Sequence, residues 1–371
     1  MAVTSSPPER LLTGPGPSNP DPRVLEAMSQ RMVGHLDPYF LEVMNDTMQM
    51  LRDLYRTKNH HTIPMSGTGT SGLEAIMLNL LEPGDEAVVG IIGYFGQRLH
   101  EMATRAGANV RTIDVPFGEI IPPEQFEDEL KKKPAKLVAL VHAETSTGAA
   151  QPVAEVAEIA RRYGALTAID CVTSLAGMPV LIDEWGVDAA GSCSQKCIGA
   201  PPGLGPVTFG PRAMEAVKAR KNKPSTWYLD LGLLFQYWGD EGGAKQRAFH
   251  HTAPVSSIYA FHEALRLIHE EGLEVRWQRH RDAHATFVQG LDKLGLSLFT
   301  PEAHRLPMLN VINIPEGIDD ATVRSAMLER GVEVAPGFGP LKGKTWRVGL
   351  MGMNADTARI ARLLGAFEEV L

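Results

Sequence analysis

Residues Met65–Ala75 read MSGTGTSGLEA, and the fold turns on what this segment holds. Gly67, Gly69 and Gly72 spell G-x-G-x-x-G. Leu73, Ile76, Met77, Leu80 and Leu81 then recur at helical spacing, which predicts an apolar helix face closed by EPGD at 82–85. Glycines in this pattern bind a dinucleotide when an acidic residue ends the following strand and holds the ribose. Here that strand is EAVVGII. It ends in glycine and isoleucine, and Asp85 and Glu86 stand at its beginning. The dinucleotide reading loses its main support. What survives is a run of small residues, Ser66 to Ser71, ahead of a helix N-terminus, where free N–H groups and the Thr68 and Thr70 hydroxyls suit an anion. The plain alternative is a capped surface helix with no ligand.

Outward from this segment the pattern alternates. LVALVH at 137–142 and LTAIDCV at 166–172 read as buried strands, and DAAGSCSQ and GPVTFG follow as two more. A helix runs between the first two, opened at Pro152 and ending near Tyr163. Strands separated by helices mean a mostly parallel sheet with ligands at its carboxyl ends. From about residue 261 the texture changes to a long helical stretch and then short strands around 308–314, 332–336 and 346–350. The expected division is an N-terminal arm at 1–20, rich in proline and glycine, a large α/β domain at 21–260, and a smaller α/β domain at 261–371.

Two further residues carry chemistry. Asp170 ends the strand LTAI, where a buried carboxylate needs a cation or donors to meet it. Lys196 stands in GSCSQKCIGAPPG among small residues that let a bulky group approach the backbone, and burial lowers an amine's pKa and makes it nucleophilic. Taken singly, Asp170 could cap a loop and Lys196 could be solvated. Together with the 66–72 segment they supply what pyridoxal 5′-phosphate requires: a lysine for its Schiff base, an acid at the pyridinium nitrogen and a phosphate cup. In KTWRVGLM, Arg347 shares a strand face with Thr345 and Gly349. An inward arginine there suggests a carboxylate partner, which its planar fork binds in two places; an exposed strand-edge arginine is the alternative.

The chain resembles the class V aminotransferases of fold type I, the alanine–glyoxylate and serine–pyruvate group. The likeness runs from GPGPSN at 14–19 through SGTGTSGLEA, GQR at 96–98, ETSTGAAQP at 144–152, SQKCIGAPPG at 194–203 and FHHTAPVSSIY at 249–259 to RVGLMG at 347–352. It implies transamination between a small amino acid (alanine or serine) and a small 2-oxo acid (glyoxylate or pyruvate), with Lys196 catalytic as the internal aldimine. Thr68, Gly69, Thr70 and Gln195 would meet the cofactor phosphate. Phe95 would stack on the ring, where relatives often have Trp, and Val172 would pack on its other face. Thr145 would reach the phenolic oxygen and Asp170 the ring nitrogen, and Arg347 would bind the substrate carboxylate. Thr252 would reach the phosphate of the neighbouring subunit, which implies a homodimer with shared sites. Relatives often have Tyr where this chain has Phe249.

Other readings are weighed by residues. A cysteine desulfurase needs a thiol on a mobile loop, and no cysteine follows Cys197. Phosphonate- or phosphoserine-specific transaminases need extra cations near the substrate. A nucleotide-dependent oxidoreductase would rest on Gly67–Gly72 alone. Cys171, Cys193 and Cys197 lack a second ligand pair, so no metal is expected, and His142, His250 and His251 read as packing or supporting residues. The net charge of −8 gives no support to nucleic-acid binding, and no apolar run reaches the ~20 residues of a membrane span. With no secretory pattern at MAVTSSPPER, the cytoplasm is the expected compartment.

Overall fold

The computed structural model describes residues 6–239 and 247–371; residues 1–5 of the expected arm lie outside it. In chain order the strands are β1 (Leu11–Leu12), β2 (His61–Ser66), β3 (Glu86–Ile91), β4 (Asn109–Asp114), β5 (Leu137–Val141), β6 (Ala143–Glu144), β7 (Ala149–Ala150), β8 (Leu166–Asp170), β9 (Ala189–Gly191), β10 (Leu204–Phe209), β11 (Leu309–Asn313), β12 (Val332–Glu333), β13 (Ala335–Pro336) and β14 (Thr345–Gly349). The helices are α1 (Pro22–Met28), α2 (Pro38–Tyr55), α3 (Gly69–Leu80), α4 (Tyr94–Arg105), α5 (Pro123–Lys132), α6 (Ala154–Arg162), α7 (Ile182–Trp185), α8 (Pro211–Lys218), α9 (Leu231–Trp238), α10 (Val255–Glu271), α11 (Leu273–Lys293), α12 (Asp320–Glu329) and α13 (Thr357–Val370).

The central sheet runs β2-β10-β9-β8-β5-β3-β4. From β9 to β4 every neighbouring pair is parallel. β5 and β8 are buried along their whole length, as strands covered on both faces must be, and this is why LVALV and LTAID read as near-continuous apolar runs. β10 lies antiparallel to both β9 and β2. No helix separates β9 from β10; the segment between them carries Lys196 and turns the chain back. β2 and β3 are not neighbours, so the glycine segment does not open the adjacent parallel βαβ pair that a dinucleotide fingerprint requires. β4 and β5 flank β3 on opposite sides. The chain reverses its direction across the sheet there, and a crevice opens beyond the strand carboxyl ends at such a point.

A large apolar core covers this sheet and extends along α10 to Ile268. A second core joins Phe287 and Leu291 of α11 to Trp346 and Val348 of β14 and Phe367 of α13, over the antiparallel sheet β11-β14-β13. The division expected near 261 therefore falls inside α10, which begins at Val255 and ends at Glu271, just before Gly272, where φ is +84°. The arm is extended but anchored. Leu11 pairs with Val332 in parallel and is buried in the second core. α6 starts at Ala154, two residues after Pro152.

Candidate active site

β2 delivers the chain to Gly67, whose φ of +132° lets it turn into α3. Thr68 is the N-cap residue and makes no side-chain cap; its carbonyl accepts from the Ser71 N–H at 2.9 Å, which leaves the Gly69 and Thr70 N–H groups without an intrahelical acceptor. Gly69 is fixed by space: a Cβ there would lie 2.6 Å from Cys193 Cβ and 2.9 Å from the Ser192 carbonyl oxygen. The helix N-terminus is thus pressed against the segment that leads to Lys196.

Asp170, at the end of β8, is only 2% exposed. Its Oδ1 accepts from the Val172 N–H at 2.9 Å, and its Oδ2 accepts from Arg98 Nη2 at 3.2 Å. Burial pushes its pKa up, and the Arg98 charge and the Val172 N–H oppose that rise. Arg98 comes from α4, one turn beyond Phe95. Its guanidinium carbon lies 4.7 Å from the Phe95 ring centroid, and Nη1 donates to Thr70 Oγ1 at 3.3 Å. The start of α4 is fixed by Glu144, fully buried on β6, which accepts from the Phe95 N–H at 3.1 Å, the Gly96 N–H at 3.2 Å and Ser146 Oγ at 2.6 Å. An anion at a helix N-terminus is favoured by its dipole.

Lys196 lies in the turn between β9 and β10. Ser194 braces this turn, donating from Oγ to the Pro201 carbonyl at 2.7 Å. The N-terminal arm folds over it: Ser18 N–H donates to the Gln195 carbonyl at 2.9 Å and Ser18 Oγ to the Lys196 carbonyl at 2.9 Å. The Lys196 amine donates to the Pro15 carbonyl. Burial is the largest influence on that amine and lowers its pKa; Cys193 opposes and Arg347 adds to the lowering.

Arg347 sits on β14, the middle strand of its sheet, and is 5% exposed, so it is no edge residue. Its Nε donates to the Pro336 carbonyl at 2.9 Å, and its guanidinium carbon stands 4.5 Å from the Phe338 ring centroid. Burial pulls its pKa down to about 10, with Glu144 opposing. Neither terminal nitrogen has a hydrogen-bond partner among the described residues, and a buried fork left open in this way suits a carboxylate.

A cavity of about 130 Å³ is lined by Thr68, Gly69, Thr70, Phe95, Thr145, Asp170, Val172, Gln195 and Lys196, all of them expected from the sequence. Arg347 and Thr252 stand outside this lining, and Thr252 is exposed. Arg98 and Cys193 line it too. Neither was assigned a role from the sequence, although GQR belongs to the quoted motifs and an arginine one helical turn after a cavity aromatic was the available signal. Glu144 was likewise given no role. Thr145 Oγ1 lies 2.6 Å from Thr173 Oγ1. His142 pairs with Ser174 Oγ, and His250 with His251, away from the cavity. The residues fit pyridoxal phosphate: an amine, a carboxylate facing the same space, an uncapped helix N-terminus for a phosphate, and the Gln195 amide, whose N–H₂ can donate to it. Among the described residues no cluster suits a metal ion, and no helix is long and apolar enough to cross a membrane.

Comparison with known proteins shows the family. Residues 11–348 match the family model described as aminotransferase class-V. The chain is 39% identical to the (S)-ureidoglycine–glyoxylate transaminase of Bacillus subtilis, covering 98% of this chain and 91% of that protein. It is 39% identical to the alanine–glyoxylate aminotransferase of Mus musculus, covering 98% and 88%. The crystal structure of alanine–glyoxylate aminotransferase from Nostoc sp. superposes with a TM-score of 0.97 at 47% identity, over 100% of this chain and 97% of that one.

Proposed function

The chain belongs to the class V aminotransferases, and from that premise we propose that it moves an amino group between a small amino acid, alanine or serine, and a small 2-oxo acid, glyoxylate or pyruvate, with pyridoxal 5′-phosphate held at Lys196. The observation that carries this reading is the convergence of the Lys196 amine, the Asp170 carboxylate and the α3 N-terminus on one cavity. Glyoxylate is the first choice of acceptor, because it appears in the names of all three relatives cited above.

The fold-type-I assignment supports one role for each residue. The cofactor, when bound, supplies an electron sink that weakens the bond between the substrate α-carbon and its hydrogen. The N–H groups at Gly69 and Thr70, with the Thr68 and Thr70 hydroxyls and the Gln195 amide, would hold its phosphate. Asp170 would face the ring nitrogen, where a carboxylate favours the protonated form. Phe95 and Val172 would bound the ring's faces, and Thr145 would donate to its phenolic oxygen. The Arg347 fork binds the substrate carboxylate and orients the α-hydrogen. Lys196 Nζ would act as the base that takes that proton, work worth about 10²–10⁴ in rate. Its lowered pKa leaves more of the amine unprotonated for the task. The arm at Pro15 and Gly16 covers Lys196 and limits water at the reacting atoms.

The reading includes a homodimer with shared sites, in which Thr252 of each protomer reaches the cofactor phosphate of the other. Its support is that Thr252 is exposed and outside the lining of its own cavity, with Phe249, three residues before it, 64% exposed and Trp227, stacked on the nearby His250, 61% exposed. The cytoplasm is the proposed compartment, in keeping with three free buried cysteines. A phosphoserine or phosphonate substrate is disfavoured because Arg98, the further cation at the cavity, is already paired with Asp170. The deciding experiment is a panel of kcat/KM values for alanine, serine, glycine and ureidoglycine against glyoxylate and pyruvate. Transfer from at least one of these donors to glyoxylate is expected. No transfer from any of them to either acceptor would defeat the proposal.

A further inference from the structure

Arg98 has no part in the chemistry proposed above, yet it touches three elements of the cavity at once. Nη2 reaches Asp170 at the end of β8, Nη1 reaches Thr70 in the first turn of α3, and the guanidinium carbon lies over Phe95 at the start of α4. We propose that Arg98 is the positioning residue of this site: it holds Asp170 as a carboxylate and fixes the α3 N-terminus against the Phe95 ring, so that the contacts to ring nitrogen, phosphate and ring face are in register before the cofactor enters. This rests on reading the cavity as a pyridoxal phosphate site.

The electrostatics of Asp170 explain why such a residue is needed. A protonated Asp170 could not accept a hydrogen bond from a ring N–H⁺ on its protonated oxygen and would add no compensating charge. Six titratable groups act on it. Glu144 from β6 favours the neutral acid when it is ionised, whereas Tyr55 from α2 and Cys171 and Cys193 from the strand ends, whose own pKa values burial raises, stay uncharged near neutral pH. Lys196 and Arg98 favour the carboxylate. Lys196 is committed elsewhere: it donates to the Pro15 carbonyl, its pKa is lowered, and its task requires the uncharged amine. Arg98 is the permanent cation in contact with Asp170 among the described residues. The planar fork matters as well as the charge, since one terminal nitrogen serves Asp170 and the other Thr70, a geometry a lysine does not reproduce.

The test uses the full-length, cofactor-free protein titrated with pyridoxamine 5′-phosphate, which reports ring and phosphate contacts without engaging the Lys196 amine covalently. Dissociation constants are measured by equilibrium dialysis from pH 5 to 9 for wild type, R98Q and R98K. R98Q is expected to bind about ten- to a hundredfold more weakly at neutral pH, the scale of one charge-assisted hydrogen bond. Its acid limb, where binding is lost as Asp170 protonates, is expected to move up by about one to three pH units, because removing a contacting cation raises a carboxyl pKa. R98Q with wild-type affinity and an unmoved limb overturns the proposal. Weaker binding with an unmoved limb overturns it too, since loosened packing alone would give that. If R98Q loses its far-ultraviolet signature, R98K decides: unchanged affinity in R98K overturns the role of the fork, and weakened affinity supports it. Wild-type protein that binds no pyridoxamine phosphate defeats the assignment of the cavity and this role together, whereas binding by wild type that R98Q leaves unaltered defeats the role of Arg98 alone.

Discussion

Phe338 stands under Arg347, with its ring centroid 4.5 Å from the guanidinium carbon, and stacks on Tyr94 at 4.5 Å. The arginine is thereby held at Nε by Pro336 and at its plane by an aromatic ring, with its fork open. Arg347→Lys should raise KM for amino acid and oxo acid alike by about ten- to a hundredfold, the value of a charge-assisted bidentate contact. Phe338→Ala should raise both by a smaller factor, about two- to fivefold, because it removes only a partly exposed cation–π contact. Steady-state kinetics with both substrates varied checks the order; an unchanged KM in Arg347→Lys removes Arg347 from the substrate site.

Lys196→Ala should lower kcat by at least about 10²–10⁴ while leaving the fold intact, because no other amine lines the cavity among the described residues. The visible absorbance of the bound cofactor should change with it. Borohydride treatment of wild type followed by peptide mapping should place the reduced cofactor on Lys196. A label on another lysine in active protein would refute the assignment.

These residues differ in how legible they are in the chain. Asp170, Lys196 and Thr68–Thr70 are local signals: an acid ending an apolar strand, a lysine among small residues, a hydroxyl-rich turn before a helix. Their partners are not local. Arg98 meets Asp170 across 72 positions, and the Pro15 carbonyl meets Lys196 across 181. Periodicity says which face of a helix is buried and nothing about which strand end it will meet. The reversal of β10 was partly visible, since no helical pattern separates Gly191 from Leu204. The start of α10 at Val255 was masked by Pro254, which suits a helix N-terminus as well as a loop. Arg347 was placed on the correct strand, but its burial in the middle of the small sheet depends on β13, two residues long and without periodicity of its own.

Buried histidines give the protein an acid-labile side. His280 is fully buried; its Nδ1 donates to the Arg276 carbonyl at 2.8 Å and its Nε2 accepts from the Gly352 N–H at 3.1 Å, a pattern only the neutral ring can make. Burial lowers its pKa to about 3, and that of His142 to about 4. Because the folded values lie below the ordinary 6.5, the unfolded chain binds these protons first. Stability is therefore complete above pH 6.5 and falls as pH drops toward 4, by up to about 1.4 kcal/mol per pH unit for each group. Melting temperature measured between pH 7.5 and 4.5 should decline with acid, and His280→Asn, though less stable at pH 7.5, should show a shallower decline. An equal slope in the two proteins would exclude His280 as a source.

Thr252 allows the shared-site reading to be tested without a structure of the assembly. If each Thr252 serves its partner's cofactor, Thr252→Ala should weaken cofactor binding by about tenfold or more, as loss of one hydrogen bond to a charged group does. Mixing then separates the possibilities. In a mixed dimer of Lys196→Ala and Thr252→Ala chains, the one functional lysine belongs to the Thr252→Ala protomer, and the threonine facing its cofactor comes from the Lys196→Ala protomer. That site is wild type in every residue. Refolded mixtures assayed at limiting cofactor should therefore recover activity that neither parent shows. If Thr252 acted within its own chain, the same mixed dimer would contain no complete site, and the mixture would do no better than the average of its parents.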